Sequence, residues 1–479
     1  PSAIANCSKL SVLILQQNSF TGSILASLGS LSRLTILSLA GNRFSGPIPS
    51  SLFNSTSLLL LNLSSNDLTG SLSPFFGLSS LQQLDFGNND LSGAIPPSLG
   101  NLSNLVYLSL SKNSLSGPIP SSLGDNLRQL QFINFSRNAL TGDIPSSLLF
   151  SSNLQVVDLE SNKFSSFSPS ALGSLTQLRV LSLAGNLLSG TISIELSRLI
   201  NLQSLDLSRN NLSGDVPTFV LSWKGLTSLS LSSNSLNGSI PEQLLELINL
   251  QTLDLGHNKL SGTIPLFLGS FSSLQVLNLS GNSFYGSIPP HLGKLLSLRI
   301  LDLSKQSLSG SIPVEFGGLP NLRILSLARN QLTGSIPAAF SSLSTAELLD
   351  FSSNSLTGNI PVSMGMLQRL VQFSFSDNLL QGSIPPDLGN CSSLLILEGR
   401  NNKLNGSVPM ELGKLQKLQN LDLGSNNLSG SIPPQLFNCT ALQQLDLSSN
   451  NLSSEIPSAI QDLRDLTILD LRENWLNGS

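Results

Sequence analysis

The chain has 479 residues, with 24 Lys and Arg against 28 Asp and Glu, a net charge of −4, and only 11% charged residues. Ordinary globular chains carry about 25%, and so sparse and slightly acidic a surface gives no electrostatic basis for nucleic acid as a partner. Two His and three Cys offer little to a metal centre; no apolar run is long enough to span a bilayer, and no signal peptide is present, so no membrane contact by this segment is expected.

Asparagine recurs from the first residues to the last. It stands at Asn18, Asn42, Asn66, Asn89, Asn113, Asn138, Asn162, Asn186, Asn210, Asn234, Asn258, Asn282, then Gln306, then Asn330, Asn354, Asn378, Asn402, Asn426, Asn450 and Asn474. Of the nineteen spacings, seventeen are 24 residues and the others 23 and 25, a regularity that stacked coils require and a single globular core does not. Numbered from coil 1 at Asn18 to coil 20 at Asn474, each unit reads L-x-x-L-x-L-x-x-N-x-L-x-G-x-I-P-x-x-L-x-x-L. In coil 11 this is Leu250, Leu253, Leu255, Asn258, Leu260, Gly262, Ile264, Pro265, Leu268 and Phe271.

Period-two alternation predicts a short strand with Leu253 and Leu255 inward and Thr252, Asp254 and Gly256 outward. Strands of successive coils then form a parallel sheet, each about 4.8 Å from the next. The ladder amide, with two donors and an acceptor, is placed to satisfy backbone groups that a turn would otherwise bury unpaired. Four residues later comes Gly in eighteen of twenty coils, Ser166 and Ser454 being the exceptions, and three residues after that Pro in sixteen of nineteen, the others being Leu25, Ser73 and Ser193. Glycine suits a turn needing permissive angles, and proline predicts an extended, non-helical return path.

The run L-S-G-x-I-P at Leu115 to Pro120, Leu260 to Pro265 and Leu428 to Pro433 resembles the plant-type leucine-rich repeat. That repeat is found in the extracellular parts of plant receptor kinases, in receptor-like proteins, and in secreted inhibitors of pathogen pectin-degrading enzymes. The resemblance covers the whole chain and implies a repeat solenoid of the α/β class, mostly short parallel strands, wound as a right-handed superhelix of about twenty coils with a concave parallel β-sheet. Pro1 stands where the Ile-Pro proline of a preceding coil would be and Ser479 stops five residues after Asn474. Residues 1–479 are therefore expected to form one solenoid cut within a repeat at both ends, from a longer ectodomain.

Along the chain, several features invite a chemical reading. Cys7, Cys391 and Cys439 fall at one register, eleven residues before their ladder positions, and are expected as buried free thiols. Asp85-Phe86-Gly87 spells the metal-binding triplet of kinases, but Phe86 occupies an inward strand position, so the match is one of register. His257 and His291 lie in different parts of the coil, with no metal-ligand spacing and no phosphate-binding loop anywhere. The chain itself is thus not expected to be an enzyme, and no cofactor is expected; a full-length parent could carry a serine/threonine kinase.

What varies is the outward strand face. Six residues before the ladder, apolar or aromatic side chains form two uninterrupted runs, Tyr107, Phe132, Val156, Val180 and Val276, Ile300, Ile324, Leu348. Basic residues stand one before the ladder in each, Lys112 and Arg137, then Lys305 and Arg329, with carboxylates Asp158 beside the first run and Asp302 and Asp350 beside the second. An apolar stripe with convergent charges suits an extended peptide, although β-branched residues there also serve strand propensity. The primary candidate site is Ile300, Asp302, Lys305, Gln306, Ile324, Arg329, Leu348 and Asp350; the second is Tyr107, Lys112, Phe132, Arg137 and Asp158. Acidic residues four before the ladder recur in ten coils, Asp85 to Asp470, and read as solvated strand positions.

Fourteen N-x-[ST] sequons fall into four registers. Glycosylation candidates are Asn6, Asn54, Asn101, Asn390 and Asn438 before the strand, Asn211, Asn427 and Asn451 just after the ladder, and Asn237 and Asn405 two residues further; Asn477 shares this last register. Asn62, Asn134 and Asn278 stand on strands, where a glycan would obstruct a ligand. The resemblance implies a receptor ectodomain at the outer face of the plasma membrane, or secreted to the cell wall space. Its partners would be a peptide or protein ligand and a co-receptor with a shorter leucine-rich repeat ectodomain. A receptor-like protein, an enzyme inhibitor or an interaction scaffold are the alternatives. With no spacing above 25 residues, there is no long insertion of the sort that steroid-binding members of the family use.

Overall fold

A computed structural model describes residues 2–75 and 77–478. It divides into two compact units, residues 1–236 and 237–479. Each is built from the same coil, and the physics of one coil accounts for both.

The coil starts on a three-residue strand. In the first unit these run from Val12–Ile14 and Ile36–Ser38 through Tyr107–Ser109 and Phe132–Asn134 to Ser228–Ser230; in the second, from Thr252–Asp254 through Ile300–Asp302 and Ile324–Ser326 to Ile468–Asp470. Neighbours pair in parallel and in register, as Tyr107↔Phe132↔Val156 in one unit and Val276↔Ile300↔Ile324↔Leu348 in the other. Only the middle residue of each strand points into the core. Leu253, Leu277 and Leu301 are fully buried, whereas the residues on either side are half-buried, which matches the alternation expected from the sequence.

The ladder asparagine closes the turn as its chemistry requires. Asn330 donates through Nδ2 to the carbonyls of Leu303 (2.9 Å), Leu327 (3.1 Å) and Ala328 (3.3 Å), and its Oδ1 accepts the N–H of Leu308 (3.0 Å). Two of these bonds reach the preceding coil, so each asparagine ties its own turn to its neighbour. The residue just before it adopts the left-handed conformation, including Lys112 (φ 52°), Arg137 (φ 55°), Lys305 (φ 57°) and Arg329 (φ 55°). A side chain at this position is strained by roughly 1–3 kcal/mol, and the ladder bonds hold it there.

A second, short strand follows, such as Asp67–Ser71 or Ser307–Ser311, which the sequence reading did not anticipate. In the first unit seven of these, from Thr21–Gly22 to Lys163–Phe167, pair in chain order. The two departures from glycine part ways here. Ser454 takes the glycine conformation at φ 74°, while the strand carrying Ser166 pairs with a register shift between Gly142 and Asp143.

The return path is not extended throughout. Proline itself is extended, as at Pro265 (φ −69°, ψ 139°), but it stands at the N-cap of a five-residue 3₁₀ helix, Leu266–Ser270 in that coil. A residue with fixed φ and no N–H is well suited to a helix start, where the N–H would lack a partner. The 25-residue spacing is absorbed at this point, where a single α-helical turn, Leu123–Asn126, replaces the 3₁₀ helix. Leu268 and Phe271 then return to the core. One inward leucine is missing at Gly399; the Phe375 ring takes its place, so close that a Cβ at Gly399 would sit 2.3 Å from it.

Cys391 and Cys439 are buried free thiols, donating to the carbonyls of Met364 (3.5 Å) and Leu412 (3.1 Å). Burial pushes both up to about 11, which leaves them as unreactive core groups. Cys7 departs from the expectation: it is exposed. The ten glycosylation candidates are all exposed, as is Asn477, whereas Asn62, Asn134 and Asn278 are half-buried on their strands.

Candidate functional site

The outward strand residues of coils 13 to 15 bring the primary candidates together. Ile300, Ile324 and Leu348 are in-register neighbours and half-buried. Beyond the strand ends, Lys305 and Arg329 stand exposed on adjacent coils, their backbones held by N–H bonds to Ala328 and Ser352, each 2.8 Å. Among the described residues neither cation takes part in an ion pair.

Asp302 and Asp350 each use one carboxylate oxygen locally. Each accepts the N–H two residues on, from Ser304 and Ser352 (both 3.0 Å), and Asp350 also takes the Ser352 hydroxyl at 2.6 Å. Asp85, Asp158, Asp206, Asp254, Asp422, Asp446 and Asp470 do the same. The recurring carboxylate is therefore a half-exposed strand side chain that also forms a turn, satisfying a backbone donor at the strand end. Asn62, Asn134 and Asn278 use their Oδ1 identically.

Gln306 is where the ladder fails. Its Nε2 reaches Leu303 O at 3.1 Å, but its Oε1 is buried without a partner. The extra methylene carries the amide past the positions that asparagine holds, and a buried acceptor left unsatisfied costs about 1–3 kcal/mol. This break adjoins Lys305 in sequence.

Two features were missed in the sequence. Arg299 and Arg323 precede the strands of Ile300 and Ile324, so cations flank the apolar residues at both strand ends; Arg323 is committed to Glu347 through a bidentate pair, Nε to Oε1 at 2.9 Å and Nη2 to Oε2 at 2.8 Å. The signal was the residue seven before the ladder, outside the assumed strand. Val12, Ile36 and Leu60 also form an apolar run at the stripe register, in coils 1 to 3.

In the second candidate patch the rings and Arg137 have partners, while Lys112 stands exposed. The rings of Tyr107 and Phe132 stack at 4.4 Å and 6°. Arg137 lies 3.8 Å from Glu160 and also acts on Asp158, whose carboxyl is nonetheless raised, first by burial. Further along, Arg400 pairs with Asp446 and, at 3.6 Å, with Asp422, passing over Gly424 where any Cβ would obstruct it. A 180 Å³ hollow lies beside Tyr107, lined by Leu60, Leu61, Asn62, Gln83 and Asp85. The larger grooves, of 740 and 770 Å³, follow the second strands and 3₁₀ helices, and Glu315 and Glu411 are the titratable groups lining them. No cluster of metal-binding side chains is present among the described residues, nor any helix long and apolar enough to cross a membrane.

In-register strands, an asparagine ladder and a proline-capped 3₁₀ turn in every regular coil define a leucine-rich repeat solenoid. A leucine-rich repeat region model matches residues 259–426, and further leucine-rich repeat models match 128–188, 200–260 and 416–476 and 33–55, 80–102 and 104–126. The Arabidopsis receptor kinase HAESA, solved with the peptide hormone IDA and the co-receptor SERK1, is 36% identical with a TM-score of 0.84, covering 100% of this chain and 84% of that one. A TDR receptor is 30% identical with a TM-score of 0.84, covering 99% and 86%. The plant peptide hormone receptor RGFR1, in complex with RGF2, is 30% identical with a TM-score of 0.69, covering 98% and 91%. None of the curated proteins matches significantly. The chain belongs to the leucine-rich repeat family, in its plant-type form.

Proposed function

We propose that the chain is the extracellular ligand-sensing part of a plant-type leucine-rich repeat receptor, and that it captures a peptide across the strand face of coils 12 to 15. The observation that carries this reading is the pair of exposed cations without ion pairs, Lys305 and Arg329, beside the in-register Ile300, Ile324 and Leu348. A planar guanidinium and an ammonium on adjacent coils suit a carboxylate, whether an acidic side chain or a free C-terminus. Apolar residues alongside take the preceding side chains. Asp302 and Asp350 hold the turns that present these groups. The break at Gln306 supports the assignment, since local rules fail most often where function imposes on structure. Recruitment of a co-receptor with a shorter ectodomain, and continuation of the parent into a membrane helix and kinase, complete the reading; support comes from HAESA, solved with both a peptide hormone and a co-receptor.

The test is selection of a randomised peptide library on the purified chain, followed by titration of the selected peptide. Lys305→Ala with Arg329→Ala is expected to weaken binding at least tenfold, about 1.4 kcal/mol, with circular dichroism unchanged. Selected peptides that bind the double variant equally well would overturn the site, and failure to select any would favour a scaffold.

A further inference from the structure

We propose that the hollow beside Tyr107 is a receptor site for one cationic side chain, an arginine guanidinium presented by a peptide or protein ligand. It lies in the first unit, apart from Lys305 and Arg329, and stands whether or not those residues bind anything.

The walls are a matched set. Leu60, Gln83 and Tyr107 are in-register neighbours on three successive strands, and Phe132 follows on the fourth. Phe132 covers one face of the Tyr107 ring, stacked at 4.4 Å and 6°. The hollow, 180 Å³, is lined by Gln83 and Asp85 of the preceding strand and Asn62 of the one before, so it borders the uncovered face of the same ring. That face, the Asp85 carboxylate and two side-chain amides enclose a space suited to a single side chain. A guanidinium is planar, can lie flat on an aromatic ring, and presents five donors to surrounding acceptors.

Asp85 is a half-buried carboxylate with no cation acting on it. Three first-strand carboxylates are raised by burial: Asp85, Asp158 and Asp422. Arg137 offsets this at Asp158 and Arg400 at Asp422. At Asp85 the only opposing influences are hydrogen bonds from the Gly87 N–H and the Ser109 side chain, and its charge is felt by the Tyr107 phenol, which is raised mainly by burial and then by Asp85. A charge withdrawn from water without a partner is unfavourable, and a cation entering the hollow would supply that partner. An uncharged ligand of similar polarity, such as a sugar, could meet the amides but not neutralise the carboxylate, which is why the cation is favoured.

The chain contains two tyrosines, and Tyr285 is exposed in the second unit, so ring-labelled tyrosine reports the site and an internal control together. The experiment uses the full chain with Ser64→Ala, which deletes the Asn62 sequon and keeps the Asn62 side chain. Titration with Nα-acetylarginine amide is expected to shift the Tyr107 signal saturably and leave Tyr285 unmoved. The citrulline analogue, the same shape without the charge, should bind at least tenfold more weakly, and Asp85→Asn, which keeps an acceptor for Gly87, should lose at least tenfold for arginine. Chitotriose should not compete. Equal binding of arginine and citrulline with Asp85 in place, displacement by chitotriose, or unchanged affinity in a folded Asp85→Asn protein would each overturn the proposal; the first two need no change at Asp85.

Discussion

Lys112 and Arg137 in the first unit and Lys305 and Arg329 in the second occupy the same register on adjacent coils, each in the same left-handed conformation. Their surroundings differ. In the first unit the ladder is intact at Asn113 and Asn138, Arg137 leans toward Glu160 at 3.8 Å, Lys112 stands exposed, and the half-buried Asp85 has no cation acting on it. In the second, the carboxylates accept backbone N–H groups as they do in the first, the ladder is broken at Gln306, and among the described residues neither Lys305 nor Arg329 takes part in an ion pair. The difference teaches that the repeat decides where a side chain stands, while its neighbours on adjacent coils decide whether its charge is available.

The largest expected effect tests the ladder itself. Asn138 makes three donor bonds, to Leu110, Phe135 and Ser136, and accepts one from Leu115. Asn138→Ala should cost roughly 1–3 kcal/mol in equilibrium unfolding. Gln306→Ala, which removes one bond and an unsatisfied oxygen, should cost less than about 1 kcal/mol; equal losses would mean that the break at Gln306 is only apparent. The two cation pairs can be separated next. For a selected peptide, the double alanine variant at Lys305 and Arg329 is expected to lose about 1.4 kcal/mol of binding, and the one at Lys112 and Arg137 well under that. A reversed order would move the peptide to the first unit.

Repairing the break sharpens the comparison further. Gln306→Asn restores the amide geometry of the other coils and should stabilise the fold by about 1 kcal/mol, read as a higher midpoint in denaturant. If peptide affinity falls as stability rises, the irregular turn serves binding. The smallest effect concerns Asp85. Its carboxyl is raised above 3.8 by burial, so the folded state holds this proton more tightly than the unfolded chain. The contribution favours folding below the unfolded value and is lost as pH rises through the raised one. Asp85→Asn should therefore melt higher than the unaltered chain at pH 7, with the gap closing in acid; a lower melting point at neutral pH would show that the charged form of Asp85 is stabilised in the fold after all.

By itself the sequence determined the period, the strand, the inward leucines and the role of the ladder amide, because each is a local rule repeated in every coil. Leu253 and Leu255 had to be buried, and Asn330 had to satisfy the turn, whatever lay beside them. It also located the second stripe and the pair Lys305 and Arg329, since register alone places them. Tertiary structure decided what register cannot express. The Asp302 and Asp350 carboxylates close on N–H groups two residues away, a local contact of Asp and Asn side chains that the outward register alone does not reveal. Arg400 reaches Asp446 two coils on only because Gly424 lies between them, and Phe375 fills the space that Gly399 vacates. The hollow at Asp85 needs residues from three coils, Asn62, Gln83 and Tyr107, which a linear pattern sees as unrelated positions in separate repeats. Charge and space in a solenoid are properties of neighbouring coils, and those neighbours meet only when the chain stacks.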